Sequence, residues 1–335
     1  MRKAHAAALS VALFLSGCGK PTSVADKAAL RKVKFNLSWT PQGSTAGVLV
    51  AIGKGFYKEA GLEVEAVQGY GGQRTVNEVD QGLFDFGYGD PVSVILNRQQ
   101  GGKTMLVGSI NTEWPAGLCY VEQPGRQWQT INDLKGLTLG GGSASPLQNI
   151  VPAWLEANGF PATHIKLLRL DPAVINPSLL GGKIDLAECW EGANRPVLTS
   201  IAARDGKKIA WLRYRDFKLN LYGNGIVTTE KMIQENPDVV KRFVEATYKG
   251  YASMKQDPAG AADIILAGYK LLDRAILLQQ IGETNQIVSD PGAPNPRPGW
   301  MRQDRMQSTV EFVRKAFHLP ESEKGAGIYT NRFVE

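Results

Sequence analysis

Histidine is nearly absent from this 335-residue chain: His5, His164 and His318 are the only three, and they lie far apart. Cysteine is equally scarce, with Cys18, Cys119 and Cys189 and no C-x-x-C pair. Zinc needs four such ligands brought together, so a zinc site is not expected. Ser–His or Cys–His catalysis has no base to draw on, because no histidine falls in a candidate motif. The chain also lacks G-x-x-x-x-G-K-[ST], G-x-S-x-G and H-E-x-x-H, which removes the common signatures of phosphoryl transfer, acyl transfer and metalloproteolysis. No dense Lys/Arg block marks a nucleic-acid or polybasic membrane surface. These gaps lead to an expectation of no catalytic residue, no metal, no cofactor and no nucleic-acid partner.

The composition that remains is ordinary for a globular protein, 43% apolar and 21% charged, with a net charge of +6. The N-terminus is distinctive. A basic "MRKAH" precedes the apolar "AAALSVALFL", which has the length of a signal-peptide core and is too short to span a bilayer. It ends in "LSGC", which resembles the bacterial lipobox, with Cys18 as the lipidated residue. Residues 1–17 are then a lipoprotein signal peptide and 18–32 a tether. Removing Arg2 and Lys3 with the leader leaves 36 basic against 32 acidic residues, a charge of +4. The expected location is periplasmic, anchored to a bacterial membrane through Cys18. Cys119 and Cys189 could pair in such a compartment, but the apolar or site-like setting of each fits a lone buried thiol.

Hydrophobic periodicity gives an α/β protein. "VKFNLSW" alternates as a first strand, and "STAGVLVAIGKGFYKEAG" has apolar Val48, Leu49, Ile52 and Phe56 at helical spacing, with Ser44 or Thr45 to cap it. "LEVEAV" alternates again, so the chain opens strand–helix–strand, the unit of a parallel sheet. "FDFGYG" is a short strand whose Asp90 and Pro91 start the next helix, and "LTLG" is followed by Ser145 and Pro146 in the same role. "QGLFDFGYGDP" and "GGKIDLAECWE" share order: Gly82, Phe84 and Asp85 recur as Gly182, Ile184 and Asp185. Two such matches suggest two similar lobes built on one plan. Lobe one takes residues 33–121, lobe two 122–220, and 221–335 returns to lobe one through a strand within "KLNLYGNGIVTTE". Two helical stretches close the chain, one presenting Val240, Phe243, Val244 and Tyr248 on a single face.

In open parallel sheets, ligands bind at the carboxyl ends of strands, where helix N-termini offer free N–H groups. The loops there are "SWTPQGST", "GYGDP", "GGSASP", "ECWEGANRP" and "YGNG". They combine aromatics, glycines and hydroxyls, which suits a small flat polar ligand. Ligand-binding candidates are Trp39, Gln42, Tyr88, Asp90, Ser143, Ser145, Trp190, Glu191, Tyr222 and Asn224. Trp39 reads as pocket rather than core, and Glu191 as a ligand acceptor. Asp90 reads as a helix cap more than a contact, while Ser143 and Ser145 suit either role. Tyr88 and Tyr222 fit pocket and core equally. Trp114, Trp128, Trp154, Trp211 and Trp300 read as packing.

The stretches "WTPQGSTAGVLVAIGKGFYKEAGLEVE" and "GLFDFGYGDP" resemble the ABC-transporter substrate-binding proteins for thiamine pyrimidine precursors, alkanesulfonates and nitrate. "GGKIDLAECWE", "NPDVVKRFVEATYKGYASMKQDPAGAADIIL" and "IYTNRFV" resemble the thiamine-precursor branch most. The resemblance implies a two-lobed periplasmic binding protein of type II, each lobe a mostly parallel sheet flanked by helices, with hinge strands between the lobes. It implies a monomer that delivers a small solute to a membrane permease served by a separate ATPase. In precursor-binding members aromatics sandwich a pyrimidine-like ring and a carboxylate accepts its amino hydrogens. Trp39 falls on the first-loop Trp, and Trp190 with Glu191 on the aromatic–acid pair. Ser38 and Gln42 depart from the Asp and Asn common in that branch, which leaves a flavin or an aromatic acid open as the guest. The alternative within binding proteins is an anion receptor using the helix starts at Ser44, Pro91 and Pro146. Pyrimidine synthases of this superfamily carry a cysteine-rich motif and active-site histidines, which this chain lacks.

Overall fold

The structure is a computed structural model and describes residues 29–125, 127–142, 145–288, 297–320 and 327–335. The leader, Cys18 and most of the tether, together with Ser143, lie outside the described residues.

Among the described residues, ten strands form two five-stranded sheets. The first contains β1 (Arg31–Asn36), β2 (Leu62–Val67), β3 (Phe86–Gly89), β4 (Thr104–Ser109) and β10 (Gly225–Thr229). The second contains β5 (Ala116–Val121), β6 (Thr138–Gly142), β7 (Lys166–Leu170), β8 (Leu186–Trp190) and β9 (Ile209–Arg213). Their orders are β2-β1-β3-β10-β4 and β7-β6-β8-β5-β9, the same pattern twice. β10 runs antiparallel to β3 and β4, and β5 antiparallel to β8 and β9. Each sheet thus takes its fourth strand from the chain just as it arrives from the other sheet. The two-lobed α/β architecture with hinge strands is as the sequence suggested. One boundary moves: β5 pairs with β8 and β9, so the first crossing lies at residues 110–115 and not at 121/122.

The repeated Gly-x-(Phe/Ile)-Asp has a shared physical cause. Gly82 and Gly182 end their helices at φ 74° and 69°, a left-handed turn in which a Cβ is strained. Asp85 then exchanges two bonds with Lys34 within β1: its amide donates to the Lys34 carbonyl at 3.0 Å and its carboxylate accepts from the Lys34 amide at 2.8 Å. Asp185 does the same to Thr138 of β6, at 3.0 and 2.9 Å. The motif fixes the third strand beside the first in each lobe, which is why it occurs twice.

Lobe one is cored by the helix Pro237–Gln256, whose buried Val240, Phe243, Val244 and Tyr248 are the face read from periodicity. The Phe243 ring stacks on Phe86 at 4.0 Å and on Tyr57 at 5.1 Å. The helix expected over residues 44–61 is broken into a 3-10 turn Gly43–Thr45 and helices Ala46–Gly53 and Phe56–Glu59, and neither Ser44 nor Thr45 makes a side-chain cap. The C-terminal helix Gln303–Ala316 does not serve lobe one alone. Its Met306, Val310 and Val313 share one apolar cluster with Val92 and Ile95 of lobe one and with Leu147 and Trp154 of lobe two.

Cys119 of β5 and Cys189 of β8 are joined as a disulfide across neighbouring strands, with a Cα–Cα separation of 5.8 Å. The lone-thiol reading is corrected here. The two positions lie 70 residues apart in sequence, and only the antiparallel pairing of a hinge strand with β8, in which Cys119 opposes Ala187 and Cys189 opposes Gly117, brings them into diagonal reach. No helix among the described residues is long and apolar enough to cross a membrane.

Candidate functional site

On lobe one, the chain leaving β1 makes a tightly held loop. Asn36 Oδ1 accepts from the Ser38 amide at 2.9 Å and from the Thr75 hydroxyl at 3.0 Å. Ser38 sits at φ 65°, a conformation that non-glycine residues seldom adopt. Its carbonyl accepts from the Gly71 amide at 2.7 Å, and the Trp39 carbonyl from the Gly69 amide at 3.3 Å. Gly69 is required for this approach, because a Cβ there would stand 2.2 Å from Asn36 Oδ1 and 2.6 Å from Ser38 Cα. The outcome is a stiff backbone bearing two open aromatic rings, Trp39 at 43% and Tyr70 at 57% exposure. Arg74 lies 4.9 Å over the Tyr70 ring. Gln42 donates to the Ser44 hydroxyl at 3.1 Å.

On lobe two, β8 alternates strictly. Ala187 and Cys189 face one apolar cluster, while Leu186 and Trp190 face another. Glu188 falls on the Leu186–Trp190 face by the two-residue period. It is 7% exposed, and its Oε1 accepts from the Ser145 hydroxyl at 2.9 Å. Burial pushes its carboxyl up to about 7, against smaller opposing effects from the Ser145 and Trp190 hydrogen bonds. The Trp190 indole is half-buried and tilts onto Trp114 at 5.4 Å.

Glu191 is not the open acceptor that the sequence suggested. It is 3% exposed and held by both terminal nitrogens of Arg215, at 2.8 Å to Oε1 and in contact with Oε2. Arg215 also reaches Glu113 at 2.9 Å. Two carboxylates flank Trp190, as the sequence showed, but only one of them is neutralised by a cation.

The two loops meet across the lobes. The Ser44 amide donates to the Gly192 carbonyl at 2.9 Å. The helix Arg274–Ile287 of lobe one clasps both. Gln280 accepts from the Gly43 amide at 3.1 Å and donates to the Ala193 carbonyl at 2.7 Å. Glu283 accepts from the Gly192 amide at 2.8 Å and pairs with Arg195. Arg195 in turn lies 4.9 Å over the Trp211 ring. The loops that carry Trp39 and Trp190 are therefore bonded edge to edge.

Residues 42–261 match the NMT1/THI5-like family over more than half of the chain. The chain belongs to that family. Among its relatives, the riboflavin-binding protein RibY of Chloroflexus aurantiacus is 25% identical over 97% of this chain and 95% of its own. The formylaminopyrimidine-binding protein of Halalkalibacterium halodurans is 23% identical over 87% of this chain and 86% of its own. The solved alkanesulfonate-binding protein SsuA of Xanthomonas axonopodis pv. citri superposes with a TM-score of 0.67 at 14% identity, covering 90% of this chain and 98% of that one. That likeness establishes the fold, the two-lobed binding-protein architecture of type II.

Several other candidates prove to be scaffold. Asp90 caps the helix Pro91–Gln99, accepting from the Ser93 amide at 2.9 Å and hydroxyl at 2.8 Å, which confirms the cap reading. Burial raises its carboxyl above the usual range despite these bonds. Tyr88 is buried, and its hydroxyl accepts from Asn111 at 2.8 Å. The Tyr222 hydroxyl accepts from the Arg302 amide at 2.7 Å, under the Arg305 guanidinium 5.0 Å from its ring. Asn224 works through its carbonyl, which accepts from Ile110 and Asn111 at 2.9 and 2.8 Å and fastens the two hinge crossings together. Trp39 and Gln42 lie on the lobe-one loop and Trp190 on the lobe-two loop that meet, while the Ser145 hydroxyl donates to Glu188 and accepts from the Leu147 amide at 3.2 Å. From the sequence, Glu188 counted as one of two acids around Trp190 but was not put among the ligand-binding candidates. Sequence reasoning also passed over Gln280 and Glu283, whose role depends on a lobe contact that no local pattern encodes.

Proposed function

We propose that this protein is the extracytoplasmic solute receptor of an ABC importer and that it captures a small planar heteroaromatic compound without transforming it. The observation that carries the reading is the meeting of the two indole-bearing loops. Trp39 stands open on a backbone held by Asn36, Gly69 and Gly71, and its loop is hydrogen-bonded to the loop carrying Trp190. Nature leaves a large aromatic exposed on a stiff support where it has a face to offer. Lobe closure would enclose a ring and create the surface that a permease reads. The riboflavin- and formylaminopyrimidine-binding relatives support a flat nitrogen-containing ring as the guest.

An anion receptor fits the site less well. The helix start at Pro91 is already capped by a carboxylate, and Glu188 adds a second acid to the cleft side of lobe two. His164 supplies no free imidazole, since its Nε2 is bonded to the Ile131 carbonyl at 2.9 Å. The lipobox reading places the mature chain outside the cytoplasm on a Cys18 anchor, and labelling with a radioactive fatty acid that is lost in Cys18→Ala tests it.

The decisive experiment is calorimetry of the purified protein against riboflavin, a 4-aminopyrimidine, taurine and nitrate, with Trp39→Ala and Trp190→Ala alongside. Saturable binding of a ring compound, weakened at least fivefold by each substitution, is expected. Binding of taurine or nitrate alone would overturn the reading, as would a new product after incubation with a ring compound.

A further inference from the structure

The helix Arg274–Ile287 has two adjoining faces of different kind. Leu277 and Ile281 are buried in the core cluster of lobe one. Gln280, Glu283, Thr284 and Ile287 follow the i, i+3, i+4, i+7 spacing that places them on one stripe. The three polar side chains of that stripe are buried as well. Buried polar groups are costly unless partnered, so this stripe is a built contact and not a solvated face. The lobe-two loop after β8 supplies much of the contact. Gln280 donates to Ala193, Glu283 accepts from Gly192 and pairs with Arg195, and a Cβ on Gly192 would stand 2.2 Å from Thr284 Oγ1. The far end of the stripe reaches the hinge. The Ile287 carbonyl accepts from both the amide and the hydroxyl of Thr112, at 2.7 and 2.9 Å. Thr112 is buried on the first crossing between the lobes, and its neighbour Glu113 pairs with Arg215, which holds Glu191 of the same lobe-two loop. The loop, the helix, the crossing segment and Arg215 thus close a circuit of hydrogen bonds and ion pairs.

We propose that Thr112 is a positioning residue for lobe closure: it fastens the end of the helix Arg274–Ile287 to the first crossing segment, so that the contact between the cleft loops and the setting of the hinge change together. This goes beyond the receptor reading and does not depend on which guest is bound. The last carbonyls of a helix have no partner inside the helix. Two donors from one residue on the Ile287 carbonyl fix the direction of the helix end as well as its distance from the crossing. From Gln280 to Ile287 is two turns, about 10 Å, and a rod so short and stiff carries a shift at the loop end to Thr112. Loop contact and hinge then form one two-state element, and each biases the other by the same free energy. Without the Thr112 hydroxyl the helix end is held by the amide alone, and Gln280 and Glu283 can part from the loop while the crossing stays in place.

The test is amide hydrogen exchange of the ligand-free protein, read residue by residue, in wild type, Thr112→Val, Thr112→Ser, Glu283→Gln and Thr228→Val. Thr112→Val keeps the shape and removes the hydroxyl. It should speed exchange of the Ser44 and Gly192 amides, which lie at the other end of the circuit, by roughly fivefold or more, the effect of one hydrogen bond. Thr112→Ser keeps the donor and should restore the wild-type rates. Reciprocity requires that Glu283→Gln, at the loop end, speed exchange of the Thr112 amide by a similar factor. Thr228 is an equally buried threonine whose hydroxyl donates to the Asp85 carbonyl at 2.7 Å, so Thr228→Val measures general destabilisation and should leave all three amides within about twofold of wild type. Unchanged Ser44 and Gly192 exchange in Thr112→Val would overturn the proposal, as would equal acceleration in Thr228→Val. Should Thr112→Val fail to fold, an unchanged Thr112 amide in Glu283→Gln overturns it on its own. None of these results bears on the receptor reading, because no guest is present.

Discussion

The clasp formed by Gln280 and Glu283 should set affinity without touching the ligand. Glu283 accepts from the Gly192 amide and from Arg195, both of lobe two, while its own helix belongs to lobe one. Both side chains are mostly shielded, Glu283 at 11% and Arg195 at 24% exposure, so solvent screening removes little of the interaction. Glu283→Gln keeps the shape but leaves one acceptor oxygen for two donors, so one bond is weakened and at the other the amide NH2 faces a donor, a loss of about 2–3 kcal/mol before compensation. Part is returned because the carboxylate no longer has to be buried, the effect that raises its carboxyl above the usual range. The net loss is about 1–2 kcal/mol, or roughly 5- to 30-fold in the closed-to-open ratio. If ligand is held only by the closed form, apparent affinity falls by the same factor, and the change sits in the dissociation rate. Stopped-flow tryptophan fluorescence with the bound ring compound measures both rates, and small-angle scattering of the ligand-free variant reports its opening. An affinity within twofold of wild type, with an unchanged scattering profile, would refute the idea that this contact governs closure. Gly192→Ala is an independent route to the same state. Gly192 sits at φ 69°, and a Cβ there would stand 2.2 Å from Thr284 Oγ1, wedging the helix from the loop.

Other consequences follow from single sites. Glu188→Gln should stabilise the ligand-free protein in a pH-dependent way: the folded-state carboxyl titrates near 7, above its unfolded value, so wild type is favoured below about pH 4.5 and loses about 3 kcal/mol relative to the variant as pH rises through 7. Urea unfolding at pH 5 and pH 8 measures this, and a pH-independent difference would contradict the burial of an unpaired acid. Replacing Cys119 and Cys189 together by Ser opens a link between positions 70 residues apart and should cost about 2–4 kcal/mol in the same assay, with ligand affinity little changed. Gly69→Ala should cost about 1–3 kcal/mol through overpacking against Asn36 and Ser38. It should also shift Trp39 emission and weaken ring binding, whereas a silent substitution would show that the loop is not held as described.

Much of the fold was legible because its signals are local. Strand alternation, the face of the helix Pro237–Gln256, the Asp90 cap and the paired Gly–Asp motifs each depend on residues within a few positions of one another. The cleft was legible only in part. Trp39 and Trp190 were singled out because the carboxyl ends of parallel strands are where ligands bind, and the structure brings their two loops into contact. Glu191 was misassigned because its partner, Arg215, lies on the far side of β9, 24 residues along the chain. The disulfide was missed for the same reason: Cys119 and Cys189 share a sheet only through a strand that enters from the other lobe. Sequence shows that an acid is buried long before it shows what neutralises it.

The cation that neutralises Glu191 also ties the loop to the hinge. Arg215 is shared by Glu191 and Glu113, and Glu113 lies on the crossing segment between β4 and β5. The loop bearing Trp190 is therefore tied ionically to the hinge at one end, and through Arg195 and Glu283 to lobe one at the other. A charge on the ligand that competed for Glu191 or Arg215 would disturb the hinge and loop together, and so would oppose closure. Glu188 lies outside this chain of ion pairs, so the side chains that tie the loop to the hinge and to lobe one are distinct from the buried acid two residues before Trp190.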